Sequence, residues 1–273
     1  TAELEARPDA WPFLAGLLRT GAGTLRAETG SLPVDPAAVL TTIGTGGLPS
    51  QHGITGALVR NDGGDVVEAF GPGSPVQVIA TLADDLDHHD HRTLVGLVGQ
   101  DAADRGLVGG GWYPDEDPVD EVLGDPAAAP LAVHALLRAG FGADPVPDVL
   151  GVALRGSVER LDRLTRRIVS TARSATHGAV LVVVAGTGTT RTAASAVPAE
   201  VAVRAVEAAV PGGDPVVAGV AAGGLFLDQH VLTERGITGQ AAVDALLHTR
   251  TPDGERMFAD AFQGFAVTFA RYC

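Results

Sequence analysis

Lysine is absent from all 273 positions, so the 19 basic residues are all arginines. That excludes Schiff-base chemistry and the lysine of a phosphate-binding loop. Cysteine occurs once, as the terminal Cys273. An intrachain disulfide, a Cys-x-x-Cys redox pair and a thiolate zinc cluster are therefore excluded, and a chain terminus seldom gives a lone thiol the rigid setting of a nucleophile. Aromatic residues make up only 4%. No apolar run approaches the roughly 18 residues of a membrane-spanning helix. Positive charge is scarce, with 19 basic against 33 acidic residues and a net charge of −14. A polyanionic partner would be repelled, so nucleic acid is excluded along with the membrane. Glu3, Glu5, Arg7 and Asp9 do not read as a signal peptide, and the expected location is cytoplasmic.

What is present suits a globular chain: 45% hydrophobic and 19% charged residues, with 36 Gly and 17 Pro implying many loops. The expectation is one α/β domain over residues 1–273, with a loop-rich insertion around 109–130. Helical spacing marks residues 11–18, 36–43, 76–86, 131–139, 157–172, 201–210 and 240–247. In 157–172, Val158, Leu161, Leu164 and Ile168 fall on one stripe. Residues 93–98, 216–220 and 225–227 read as strands. Residues 179–185 (AVLVVVA) read as a central parallel strand buried on both faces. Helices alternating with strands predict a layered fold around a mostly parallel sheet.

Residues 33–56, PVDPAAVLTTIGTGGLPSQHGITG, carry the most specific pattern. Thr45-Gly46, Pro49, His52, Gly53 and Ile54 resemble the Thr-Gly-x-x-Pro-x-x-His-Gly-Ile motif of the alkaline phosphatase superfamily, in its type I phosphodiesterase and nucleotide pyrophosphatase branch. Helix and strand patterns after the loop resemble that family's order over most of the chain. The resemblance implies a three-layer fold with a central, mostly parallel sheet. It also implies that the family's chemistry has been lost. With Pro33 matched to the motif's Pro, the nucleophile position falls on Pro36, which has no hydroxyl. The ligand pair of Asp-His-Gly becomes Gly186 and Thr187, and Asp-x-x-Gly-His becomes Asp148-Val-Leu-Gly151-Val152. The family's first metal Asp would lie upstream of Thr1. Two divalent ions need about six or seven ligands, so no metal and no cofactor are expected.

The candidate catalytic residues are then Asp35, His52, Thr45 and Asp148, with Pro36, Gly186, Thr187 and Trp112 as substrate-binding positions for a small-molecule ligand. Each has a plainer reading. His52 in a tight Gly loop can brace that loop. Asp35 immediately before Pro36 suits a helix N-cap. Thr45 can bond backbone within its loop. The run Asp84, Asp85, Asp87, His88, His89, Asp90, His91 is the most metal-like stretch and also reads as a solvated turn. The loop Gly109-Gly-Gly-Trp-Tyr113 reads as a lid, a partner-binding loop or a connection anchored by Trp112. Three functions follow. One is a diverged, metal-independent protein using the ancestral cleft for a small-molecule task. Another is a catalytically dead binding or scaffold protein. The third is a metal-dependent phosphodiesterase or phosphatase. An open pocket near Pro36, Asp148 and Gly186 is expected if the cleft was repurposed.

Overall fold

The computed structural model describes residues 2–27, 34–115, 117–176, 180–186, 198–221 and 224–263. Helices α1 (Ala2–Ala6), α2 (Pro12–Thr20), α3 (Pro36–Thr45) and α4 (Pro49–His52) come first, followed by strands β1 (Leu58–Arg60) and β2 (Val66–Glu68). Helix α5 (Leu82–His89) and strand β3 (Val95–Gly99) lead to a 3-10 helix over Ala102–Leu107 and strand β4 (Asp120–Leu123). Then come α6 (Ala129–Ala139), β5 (Val149–Val152) and α7 (Val158–Ala175). Helix α8 (Ala199–Ala209), strands β6 (Val217–Ala221) and β7 (Gly224–Leu227), and helices α9 (Gln229–Glu234) and α10 (Gln240–His248) follow.

The apolar run of β3 forms the centre of a parallel sheet in the order β4-β3-β5, with Leu97 opposite both Glu121 and Gly151. Parallel neighbours require crossover connections, and α6 supplies the one between β4 and β5. Successive β3 side chains point to opposite faces, so Leu97 and Val98 belong to different cores. Val98 packs with Val133, Leu136 and Phe141 of the α6 region and Ile168 of α7. Leu97 packs with Ala83 of α5 and Val108. Helices thus cover both faces of a mixed α/β layer. Gly96 is small because a Cβ there would come within 2.8 Å of the Phe141 ring.

A second core joins the antiparallel hairpin β6-β7 to α8, α9 and α10 through Val206, Val210, Val216, Val231 and Leu232. Arg60 Nη2 ties β1 to this unit by donating to the Leu227 carbonyl at 2.5 Å. Helix α7 buries Leu164, Ile168 and Val169. Its Asp162 is also buried, and its Oδ1 accepts from the Leu14 amide at 2.8 Å, near the start of α2. A carboxylate is favoured there by the helix dipole.

Several expectations are corrected. The parallel sheet has three strands among the described residues, smaller than the central sheet anticipated. Residues 180–186 form no strand: Leu181 is 88% and Val183 77% exposed. β-branched composition favours a pleated, half-buried surface and cannot form a ladder without a neighbour. The strands expected at 216–220 and 225–227 are present as β6 and β7, but they pair with each other in a separate antiparallel sheet. The stretch 109–130 is not loop throughout, since β4 is an edge strand of the parallel sheet. The helix expected over 76–86 begins only at Leu82, because Thr81 Oγ1 caps it by accepting from the Asp84 amide at 3.1 Å while Asp84 Oδ2 accepts from the Thr81 amide at 2.6 Å.

Candidate functional site

Helix α3 begins where Pro36 fixes φ and Asp35 caps, with Asp35 Oδ1 accepting from the Ala37 amide at 3.0 Å. It ends at Gly46, whose φ of 72° is the left-handed conformation common just past a helix. Thr45 donates to the Thr41 carbonyl at 2.6 Å and accepts from the Gly47 amide at 3.1 Å. Both functions of its hydroxyl serve the turn. His52, at the end of α4, is fully buried. Its Nδ1 accepts from the Ile54 amide at 3.2 Å, so in the neutral ring Nε2 carries the hydrogen and donates to Thr42 Oγ1 at 3.1 Å. Burial lowers its pKa to about 4, over a smaller upward pull from the Ala38 backbone. A neutral histidine with both nitrogens engaged braces the α3–α4 turn. The Thr-Gly-x-x-Pro-x-x-His-Gly pattern is therefore a self-contained backbone clamp.

Asp148 lies elsewhere. Its Oδ1 accepts from the Leu94 amide at 2.8 Å and its Oδ2 from the Gly142 amide at 2.6 Å, at the amino ends of β3 and β5. Helix α3 packs against the 3-10 helix beyond the carboxyl end of β3. Asp35, Thr45 and His52 thus share one unit that Asp148 does not join. Pro36 is exposed, and Gly186 is exposed with open space around its Cα. Thr187 lies outside the described residues. Neither the hollow lined by Asp84, Asp87 and Val119 nor the one lined by Arg7, Asp9 and Glu159 adjoins Asp35, His52, Asp148 or Gly186.

The carboxyl ends of β3 and β5 hold a cluster that the sequence reading missed. Asp104 is fully buried, and Arg155 grips it with Nη2 on Oδ1 at 2.6 Å and Nη1 on Oδ2 at 3.0 Å. Asp104 Oδ2 also accepts from the Gln100 amide at 2.8 Å, and Asp101 lies 3.4 Å from Arg155 Nη2. With its amide turned to satisfy both groups, Gln100 accepts from Arg155 Nη1 and from the Arg155 backbone. Burial pulls the Arg155 pKa down, and Asp104 with Asp101 outweighs it, so the net shift is upward. The sequence signal was available: Asp101, Asp104 and Arg155 each stand a few residues past an apolar strand, where open α/β sheets place ligands. Here one guanidinium is shared by two carboxylates, which leaves the cluster one net negative charge.

The run from Asp84 to His91 holds the loop that follows the 3-10 helix. Asp84 Oδ1 accepts from the Gly110 amide at 2.6 Å, Asp87 Oδ2 from the Asp117 amide at 3.0 Å, and Asp85 Oδ1 from the Tyr113 hydroxyl at 2.9 Å. His88 stacks on Tyr113 with ring centroids 3.9 Å apart, and Asp115 sits 3.6 Å from His88 and 3.7 Å from His91. Gly109, Gly110 and Gly111 all have positive φ, and a Cβ on Gly109 would collide with the Asp84 carboxylate. Asp90 belongs to a local turn, its pKa held down to about 2 by hydrogen bonds from Arg92. No group of three or more His, Cys, Asp or Glu among the described residues is arranged to hold a metal ion.

This anchored loop presents Trp112, 38% exposed, beside other exposed apolar side chains: Leu48 at 39%, Val76 at 49%, Val78 at 56% and Leu82 at 66%. Residues 76–79 run alongside the glycines that neighbour Trp112 and Leu48. A Cβ on Gly111 would touch Val76, one on Gly53 would touch Val78, and Gly47, next to Leu48, abuts Ile79. Asp85, Asp115 and Asp117 are exposed, and Asp85 reaches Tyr113, the neighbour of Trp112. Compared with protein families, with curated proteins and with solved structures, the chain matches none of them. No helix among the described residues is long and apolar enough to cross a membrane.

Proposed function

We propose that the chain is a non-catalytic binding protein, diverged from an alkaline-phosphatase-like ancestor, that docks a basic, apolar peptide segment on the Trp112 face. One observation carries this reading. The acid, base and hydroxyl candidates Asp35, His52, Thr45 and Asp148 are engaged in backbone or turn hydrogen bonds, whereas five large apolar residues stand exposed together beside carboxylates. Contiguous exposed apolar surface rimmed by polar groups marks interaction sites. An acidic rim on a chain of net charge −14 selects a cationic partner and speeds its encounter.

The ancestral three-layer sheet belongs to the same reading. The edge of β5 away from β3 has no strand partner among the described residues. Three parallel strands between helices support it, and residues 180–185 form no strand beside them.

The test is fluorescence anisotropy with a labelled amphipathic Leu/Lys peptide and its Leu/Glu counterpart. The Leu/Lys peptide should bind, weaken with added salt, and be lost in Val78→Asp and Leu48→Asp while Leu131→Asp, exposed elsewhere on α6, leaves it intact. Equal binding of the Glu peptide, or indifference to Val78→Asp, would overturn the reading.

A further inference from the structure

Asp87 of α5 is 2% exposed, and its Oδ1 has no hydrogen-bond partner among the described residues. It lines a half-open void of about 10 Å³ between α5, the start of β3 and the loop ahead of β4. Asp84, also 2% exposed, and Asp117 line the same void, against an apolar wall of Val95, Val108 and Val119. Two buried aspartates therefore line one small space, with the exposed Asp117 beside them.

The charges around it do not balance. Arg105 spends Nε on the Gly109 carbonyl at 3.0 Å and Nη1 on Glu121 at 3.3 Å. His88 and His91 turn to Asp115, and Arg92 to Asp90. A buried carboxylate with no counter-charge and one oxygen without a hydrogen bond is costly. The space admits about one water-sized group. Divalent ions are poorly served, since calcium takes about six to eight oxygens and no such group of side chains is arranged here. A guanidinium is a planar fork with five donors and is too wide.

A primary ammonium matches in size and in donor count, having three N–H groups and no acceptor. Asp87 Oδ1 takes one. The open side of the void leaves another to water. Asp84 accepts from Gln77, Thr81 and Gly110, which leaves about one of a carboxylate's four lone-pair sites for the third. We propose that this void is a primary-ammonium subsite, filled by a small alkylamine or by a lysine of the segment docked on the Trp112 face, two residues beyond Gly110. The lysine form rests on the binding reading above.

Butylammonium chloride, tetramethylammonium chloride, guanidinium chloride and calcium chloride are titrated at constant ionic strength, following the Gly110 and Asp117 amides by NMR. Butylammonium alone should give saturable shifts, weakened about tenfold or more in Asp87→Asn and unchanged in Asp253→Asn, an exposed carboxylate after α10. Circular dichroism and thermal unfolding should show Asp87→Asn folded and no less stable than the parent, because an unpaired charge is removed. Equal shifts from tetramethylammonium, saturation by calcium, or undiminished butylammonium binding in Asp87→Asn would overturn the subsite. The two readings fail separately. If the Leu/Lys peptide binds the apolar face and replacing each of its lysines by norleucine in turn changes nothing, the lysine form is wrong and the docking face stands. If butylammonium binds through Asp87 and no peptide docks, the subsite stands without it.

Discussion

Arg155→Ala tests whether the cluster at the strand ends is a structural lock. The substitution removes the contacts at 2.6 and 3.0 Å to Asp104, leaving a fully buried carboxylate with the Gln100 amide at 2.8 Å as its main partner. Breaking a buried pair by deleting one partner costs about 3–5 kcal/mol. The Arg155 side chain is 37% exposed, so water replaces part of what is lost, and about 2–3 kcal/mol is expected. At roughly 2–4 °C per kcal/mol for a chain of this size, the unfolding midpoint should fall by about 5–10 °C. Urea unfolding followed by circular dichroism gives the free energy. The double variant Asp104→Leu/Arg155→Met should recover most of the loss, because it strands neither charge. A cost below about 0.5 kcal/mol for Arg155→Ala would mean a solvated surface pair, and the assignment of Asp104 and Arg155 as a lock would be wrong.

His52 has a folded pKa of about 4 against an ordinary 6.5, so between these values the unfolded chain binds more protons and stability falls as pH drops. The loss should reach about 3 kcal/mol by pH 4, and the difference in pH profile between the parent and His52→Gln isolates it; parallel profiles from pH 7 to 4 would refute the buried neutral ring. Asp35→Asn should cost no more than about 1 kcal/mol, since Asn caps equally well. Thermal unfolding checks this, and a larger loss would show that the carboxylate charge itself is required. Val183→Asp distinguishes an exposed run from a fourth strand: a change within about 0.5 kcal/mol fits the exposure seen here, whereas a loss above about 2 kcal/mol would show residues 180–185 buried in the sheet.

Local chemistry made part of this protein legible from its sequence. Pro36 behind Asp35 reads as a capped helix start, and it is one, because φ restriction and side-chain capping act within three residues. The stripe through Leu164 and Ile168 marked the buried side of α7 for a similar reason: helical periodicity is local. His52 as a loop brace and Thr45 as a backbone partner were equally readable, since both bonds close within ten residues. What the sequence could not decide depends on distant partners. The run at 179–185 has the composition of a central strand, but a ladder exists only where another strand lies alongside. Asp104 and Arg155 are 51 residues apart and meet only because β3 and β5 are parallel neighbours. Asp148 looks catalytic by motif and becomes a clasp for Leu94 and Gly142 once the strands are paired. The Asp84–His91 run looks metal-binding until the loop through Tyr113 and Asp115 folds back onto it, and only that fold leaves one oxygen of Asp87 unpaired at the bottom of a void.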